Sequence, residues 1–230
     1  MIYIRNILFY FSFYIWTALF FISFSPVRYF TKSFAMVLSK FWTGSIVFLA
    51  KKILGINYEV IGKKKTFKNQ SMIIASNHQS PWETFFFVFY FENPVFILKE
   101  ELKKVPIMSW YFKKLDFIFI DRDKKLNSLK QIILAVKKLN DEDNRTIIIF
   151  PEGTRVSPGQ KVKLNSGVYA LHKILGLPVY PVKHNSGQYW TNKKFLKFPG
   201  TIKISLFPEI KLKEKNRFLK KIENHYYRKN

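Results

Sequence analysis

The segment Asn77-His78-Gln79-Ser80-Pro81-Trp82-Glu83 carries the residue types needed to move a proton, a histidine and a carboxylate five positions apart. An apolar run, Met72-Ile73-Ile74-Ala75, precedes it, and another, Thr84 to Phe91, follows. The pattern predicts a strand ending near Ser76 and a helix beginning near Pro81. Proline suits the first helical position because the N–H it lacks would have no partner there. Ser80 is then the N-cap and Glu83 the third helical residue, which is the spacing of a capping box. His78 falls in the turn just outside. Folded around a helix N-terminus, the carboxylate can hold one imidazole nitrogen while the other takes a proton from a substrate hydroxyl. The competing reading is that Glu83 only caps the helix and His78 is an ordinary loop residue, and a lone motif does not decide between them.

More polar groups follow apolar strand candidates in the same way. Val95–Leu98 leads to Lys99, Phe117–Ile120 to Asp121 and Arg122, and Thr146–Phe150 to Pro151-Glu152-Gly153-Thr154-Arg155. In open α/β sheets ligands bind outside the carboxyl ends of the strands. Parallel strands here would therefore gather one base, its carboxylate partner and the cations Lys99, Arg122 and Arg155 at one edge. That set suits a phosphorylated substrate with a hydroxyl to be deprotonated.

These groups need a scaffold. Further strands are expected at Tyr58–Ile61, Val179–Val182 and Ile202–Phe207. Helices are expected from Lys125 to Asn140, with Leu126, Leu129, Ile132, Ile133, Val136 and Leu139 on one stripe, and from about Asn165 to Leu175, ending at Gly176. Alternating strands and helices imply an α/β layer fold with a largely parallel central sheet flanked by helices. The charged tail after Lys211 reads as a peripheral helix.

Ahead of this domain, the run Ile7 to Phe24 is almost wholly apolar and aromatic, with no charge between Arg5 and Arg28. A second apolar stretch, Phe34 to Ala50, is interrupted by Lys40 and closed by Lys51-Lys52. Residues 1–52 are expected to form a membrane-associated helical hairpin, and residues 53–230 the α/β domain. A hairpin crossing the bilayer would leave Arg28 and Lys32 on the far side, against the positive-inside bias. One sunk in a single leaflet keeps every basic residue near the headgroups.

The 230 residues suit one catalytic domain plus an appendage, and the net charge of +24 asks for an anionic partner. Part of that charge follows from a composition rich in Lys, Asn, Ile and Phe. There is no cysteine, and His78, His172, His184 and His225 show no metal-ligand spacing, so neither a disulfide nor a metal site is expected. A nucleic-acid binder would interleave basic and exposed aromatic residues. Here the aromatics fall in apolar runs, and no nucleic-acid partner is expected.

Over about residues 50 to 210 the chain resembles the 1-acylglycerol-3-phosphate acyltransferase family, within the wider glycerophospholipid acyltransferases. The resemblance rests on four blocks: Asn77 to Glu83, Phe119-Ile120-Asp121-Arg122, Phe150-Pro151-Glu152-Gly153-Thr154-Arg155, and Leu177-Pro178-Val179-Tyr180-Pro181-Val182. Lys99-Glu100-Glu101-Leu102 adds a shorter match, and residues 7 to 50 resemble the family's amino-terminal membrane element. The resemblance implies the glycerolipid acyltransferase fold. It also implies transfer of an acyl group from acyl-CoA or acyl carrier protein to the sn-2 hydroxyl of lysophosphatidic acid (1-acylglycerol 3-phosphate), giving phosphatidic acid. His78 would be the general base and Glu83 its orienting partner. Lys99, Arg122 and Arg155 would hold the phosphate, with Glu152, Gly153 and Thr154 shaping that pocket. Backbone N–H groups after Ser80 would meet the oxyanion. No metal or redox cofactor is implied. The setting would be the cytoplasmic (inner) membrane surface, with the catalytic domain facing the cytoplasm. Glycerol 3-phosphate, a lysophospholipid or a lyso-aminolipid remain alternative acceptors. Without a Gly-x-Ser-x-Gly elbow no acyl-enzyme is expected. The chain departs from the family pattern at Glu83, where Asp is usual, at Asp116, where Gly is common, and at Val156, where Ser is common.

Overall fold

The computed structural model of the chain describes residues 1–62, 70–121 and 125–227. Its centre is a seven-stranded sheet. The strands are β1 (Ile56–Ile61), β2 (Met72–Ser76), β3 (Pro94–Lys99), β4 (Ile118–Ile120), β5 (Thr146–Ile149), β6 (Val179–His184) and β7 (Gly200–Leu206). Their spatial order is β1-β7-β6-β2-β5-β3-β4. Every pairing is parallel except β6 with β7. The largely parallel α/β architecture expected from the sequence is therefore present. β2 and β5 sit at the centre and are buried along their whole length, which is why both read as unbroken apolar runs rather than as alternating strands.

The helices divide between the two faces. α1 (Ile2–Ser23), α2 (Lys32–Leu49), α3 (Trp82–Tyr90) and α4 (Met108–Lys114) lie on one face. α5 (Lys125–Glu142), α6 (Gly167–Leu175) and α7 (Lys215–Tyr227) lie on the other. Alternate strand residues feed the two layers, as the two-residue side-chain period requires. Met72, Ile74, Phe96 and Ile148 join the core beneath the first group, while Ile73, Ala75, Val95, Ile147 and Ile149 join the second. On α5 the predicted stripe buries Ile132, Val136 and Leu139, while the side chain of Leu126 lies outside what is described.

The expected hairpin is formed by α1 and α2, joined by a 3-10 turn at Ser25–Tyr29 and continued by a π-helical turn at Ala50–Leu54. Both helices are long and apolar enough to cross a membrane. The hairpin shares a core with the sheet, since Phe9, Phe20, Trp42 and Ile46 pack in the same cluster as Phe86 and Phe96. Its outer side leaves Ile7, Phe11, Leu19, Ile22, Phe41 and Phe48 exposed. Polar contacts fix its position. The Asn6 side chain, fully buried, donates to the Lys197 carbonyl at 3.0 Å and accepts from the Lys197 N–H at 2.8 Å. Tyr111 donates to the Phe24 carbonyl at 3.1 Å, and Lys32 pairs with Asp116. Asp116 also meets Arg145 at 3.5 Å, and it sits at φ +58°, a conformation that favours glycine. The family's usual glycine at this position thus has a backbone reason, and this chain uses the position to bind two cations.

Two expectations change. α7 is a helix but not a peripheral one, because Phe218, Ile222 and Tyr226, spaced four apart, are buried in the second core. β6 runs past Val182 to His184, extended by its antiparallel pairing with β7, where Lys183 faces Ser205 and His184 faces Ile204.

The Asn6 clamp gives a test of docking. Asn6→Ala leaves a buried N–H and a buried carbonyl of Lys197 without partners, at a cost of about 1–3 kcal/mol for each unsatisfied group. We expect a lower melting temperature in detergent and faster proteolytic release of the hairpin. A melting curve and digestion rate equal to wild type would show that apolar packing alone docks α1.

Candidate active site

The predicted turn forms at the carboxyl end of β2. Chain reversal at Pro81 starts α3, and Glu83 in its first turn points back toward His78. The capping box is present: the Trp82 N–H donates to Ser80 Oγ at 3.1 Å, and the Ser80 N–H donates to the Glu83 carboxylate at 2.8 Å. The same carboxylate also holds the imidazole, with His78 Nδ1 2.8 Å from Glu83 Oε1. Capping and orienting are therefore one arrangement rather than alternatives.

Glu83 is fully buried. Its Oε1 also accepts from the Gln79 N–H at 2.9 Å, and its Oε2 accepts from the hydroxyls of Ser80 and Ser186, each at 2.7 Å. Burial alone would push this carboxyl up. Neighbouring His184 and His78, with the hydrogen bonds from His78 and Ser186, outweigh that and hold it well below the usual carboxylate range. An ionised carboxylate only accepts, so His78 Nδ1 carries the proton and Nε2 is left as the basic nitrogen. The ring is steadied by stacking on Phe150, with centroids 4.0 Å apart.

The main chain of His78 is gripped by the loop after β5. Its N–H donates to Glu152 Oε2 at 2.7 Å, and its carbonyl accepts from the Val156 N–H at 2.8 Å. Glu152 Oε1 accepts from the Tyr227 hydroxyl at 2.9 Å. Burial pushes the Glu152 carboxyl up to about 6, against the lowering by those two hydrogen bonds. Gly153 has φ +74°, and a Cβ there would lie 2.5 Å from Asn165 Nδ2, so this turn requires glycine. On the other side of β2, Asn77 and His184 hold each other. The Asn77 amide donates to the His184 carbonyl and accepts its N–H, both at 2.9 Å. His184 Nε2 lies 2.8 Å from the Asn77 carbonyl, and its Nδ1 faces the Ser186 N–H at 3.4 Å. Burial pushes this imidazole's pKa down, and a neutral ring protonated at Nε2 satisfies both contacts.

Beside the turn lies an apolar cavity of about 500 Å³. Phe13, Phe20 and Phe21 of α1, Trp42 of α2, Thr84 and Phe85 of α3, and Tyr111 and Leu115 of the α4 region line it, together with Pro81 and Arg155. The structure thus brings His78, Glu83, Glu152 and Gly153 together and sets Arg155 at the cavity's edge. Arg155 is exposed, with one nitrogen 3.4 Å from Asn192 Oδ1. Thr154 is exposed beside it. Lys99 ends β3, which β5 separates from β2, and its exposed amine lies 4.0 Å from Glu101. Arg122 lies outside the described residues.

Known proteins similar to this chain identify its family. A family model described as Acyltransferase matches residues 57–185. A protein of Pseudomonas aeruginosa named 1-acyl-sn-glycerol-3-phosphate acyltransferase is 38% identical over 213 residues, covering 89% of this chain and 80% of its own. This chain belongs to the 1-acylglycerol-3-phosphate acyltransferase family. A relative of the same name from Limnanthes alba is 28% identical over 69% of this chain and 56% of its own. The crystal structure of the 1-acyl-sn-glycerophosphate acyltransferase from Thermotoga maritima shares the fold, with a TM-score of 0.81 and 22% identity over 99% of this chain and 95% of that one.

Within this acyltransferase one expectation and two departures from the family pattern can be followed in the structure. Of the backbone N–H groups after Ser80 that were expected to meet the oxyanion, that of Trp82 donates to Ser80 Oγ and that of Thr84 to the Pro81 carbonyl. The longer Glu83 side chain reaches His78 at full hydrogen-bond strength. Val156 contributes its backbone N–H, for which side-chain identity is immaterial. The sequence reading also missed Ser186, His184 and Tyr227. A hydroxyl and an imidazole two residues apart just past an apolar strand were the available signal for the first two.

Ser186 gives the test of Glu83's environment. A hydrogen bond to a charged group is worth about 1.5–3 kcal/mol. Ser186→Ala should lower the melting temperature and reduce turnover about tenfold or more, since that energy corresponds to a factor of ten upward. Unchanged turnover and melting would show that the remaining donors hold Glu83 unaided.

Proposed function

We propose that this enzyme transfers a fatty acyl group from acyl-CoA or acyl carrier protein to the sn-2 hydroxyl of 1-acyl-sn-glycerol 3-phosphate, forming phosphatidic acid for phospholipid synthesis. The observation that carries this reading is the His78–Glu83 pair beside a cavity lined almost wholly by apolar side chains. The cavity suits an acyl chain, because burying methylene groups is favourable in proportion to their area. Nε2 of His78 takes the hydroxyl proton as the oxygen attacks the thioester carbonyl carbon. The tetrahedral intermediate then expels the thiolate, which recovers the proton from the imidazolium as the free thiol. Glu83 stabilises the imidazolium and fixes its tautomer. Arg155, at the rim of the cavity, is the cation placed to meet the acceptor's phosphate. The proposed chemistry asks for no metal or redox cofactor.

The two apolar helices support membrane association. We read the hairpin as lying in the cytoplasmic leaflet of the inner membrane, with its exposed apolar side among the acyl chains and the catalytic domain in the cytoplasm, where the thioester donors and the lipid acceptor both reach it.

A radiolabelled acyl-transfer assay on membranes, with both donors and a panel of acceptors, tests the reading. His78→Ala should lower turnover by about 10²–10⁴-fold, the usual worth of a general base. Turnover within a few-fold of wild type would remove His78 from the mechanism. Arg155→Lys should raise the acceptor KM by about 10- to 150-fold, the equivalent of one charge-assisted hydrogen bond, and leave the donor KM nearly unchanged. Equal damage to both substrates with a lowered melting temperature would assign Arg155 to loop structure instead.

A further inference from the structure

We infer that Tyr227, the last residue of the C-terminal helix α7, is a positioning residue of the active site that acts through Glu152 on the backbone of His78. The inference rests on the acyl-transfer reading and adds to it an element beyond residues 57–185, which the family model matches.

The contacts form a continuous chain. The Tyr227 hydroxyl accepts the Val162 N–H at 3.3 Å and lies 2.9 Å from Glu152 Oε1. With its lone pair turned to Val162, the hydroxyl points its proton at the carboxylate. The other oxygen, Oε2, takes the His78 N–H at 2.7 Å. Glu152 is 7% exposed, so these protein donors replace water at its oxygens. Tyr227 therefore fixes the rotation of the carboxylate, and the carboxylate fixes the residue that carries the base. Small displacements of a catalytic group are costly in rate.

Helix packing aims this hydroxyl. Phe218 and Ile222 are fully buried and Tyr226 is nearly so, which locks the rotation of α7 about its axis. Tyr226 is turned into that core, and its hydroxyl is buried with no hydrogen-bond partner among the described residues. The adjacent tyrosine is thereby directed to the loop carrying Glu152. One tyrosine is thus part of the site, and its neighbour provides an internal control of similar chemistry.

Electrostatics supply a readout that a purely structural role would not move. The groups acting on Glu152 are Glu83 of α3, the His78 N–H of the β2 turn and Tyr227 of α7, while the Tyr226 hydroxyl feels the Glu152 charge but makes no hydrogen bond to it. Burial and the Glu83 charge push the Glu152 carboxyl up to about 6, while the His78 and Tyr227 hydrogen bonds oppose them. Removing the Tyr227 donor removes one of the opposing contributions. Glu152 then protonates at higher pH, and a protonated carboxyl is a weaker acceptor for His78.

The experiment compares Tyr227→Phe, Tyr226→Phe, Glu152→Gln and Tyr227→Phe/Glu152→Gln in full-length purified protein, with kcat, both KM values, the pH profile and the melting temperature measured for each. Tyr227→Phe is expected to lower kcat about tenfold, as for one hydrogen bond to a charged group, with both KM values within about twofold of wild type. The acid limb of its kcat profile should move to higher pH. Tyr226→Phe should leave kcat and that limb unchanged. The double variant should be less impaired than the product of the single effects, because both act on one contact. An unchanged kcat in Tyr227→Phe, or equal losses in the two tyrosine variants in step with melting, or a fully multiplicative double variant would overturn the inference. His78→Ala separates the two layers. If it is inactive while Tyr227→Phe is normal, only the present inference fails, whereas an active His78→Ala removes the base that Tyr227 is inferred to position, and wild-type protein without acyl transfer removes the reading beneath it.

Discussion

An ionised carboxylate taken out of water is tolerated only when donors meet its oxygens, and Glu83 is such a group. It is fully buried in the first turn of α3, and its contacts come from His78, Gln79 and Ser80 of the β2 turn and from Ser186 beyond β6. No one of these segments can place it. The strand must end where it does, the helix must start at Pro81, and β6 must run long enough to deliver Ser186. Once those conditions hold, the charge is fixed and the imidazole has one tautomer and one orientation. In the proposed mechanism, catalytic geometry and fold stability thus meet in the same carboxylate, which leaves little reorganisation for the moment of reaction.

The rest of the architecture follows from placing that polar turn beside an apolar space. The α/β domain walls the cavity on one side only. One side comes from α3, α4 and the sheet, the other from the hairpin through Phe13, Phe20, Phe21 and Trp42. An element that presents apolar side chains outward is therefore also part of the site. This explains the polar fastenings at both ends of the hairpin: Asn6 on Lys197 near one end, and Tyr111 on Phe24 with Lys32 on Asp116 near the other. Apolar packing has no direction, and such contacts set the register that packing alone leaves loose.

The central sheet was legible because its residues obey local rules. Met72–Ser76 and Thr146–Ile149 read as buried strands because parallel strands covered on both faces have no polar side. His78 and Glu83 were legible because a capping box has a fixed spacing. The misses share a cause. β6 was ended at Val182 because Lys183 and His184 are polar, yet the ladder to β7 carries the strand on. α7 read as peripheral because charged residues dominate its sequence, although three apolar residues on one stripe suffice to bury a face. Lys99 and Arg155 looked equivalent as cations after strands, but β5 lies between β3 and β2 and sets Lys99 apart from His78.

The sequence by itself determined the strands, the hairpin helices, the turn that holds His78 and Glu83, and the family to which these belong. Each depends on residues close in the chain, whose propensity and spacing act before any distant contact forms. The tertiary structure alone decided that Glu152 grips the His78 backbone, that Ser186 and His184 complete the setting of Glu83, that Tyr227 reaches Glu152 and that the hairpin closes an apolar cavity. Those contacts join residues as far apart as Asn6 and Lys197. They depend on strand order and helix rotation, which the packing of the whole chain fixes and which no local pattern encodes.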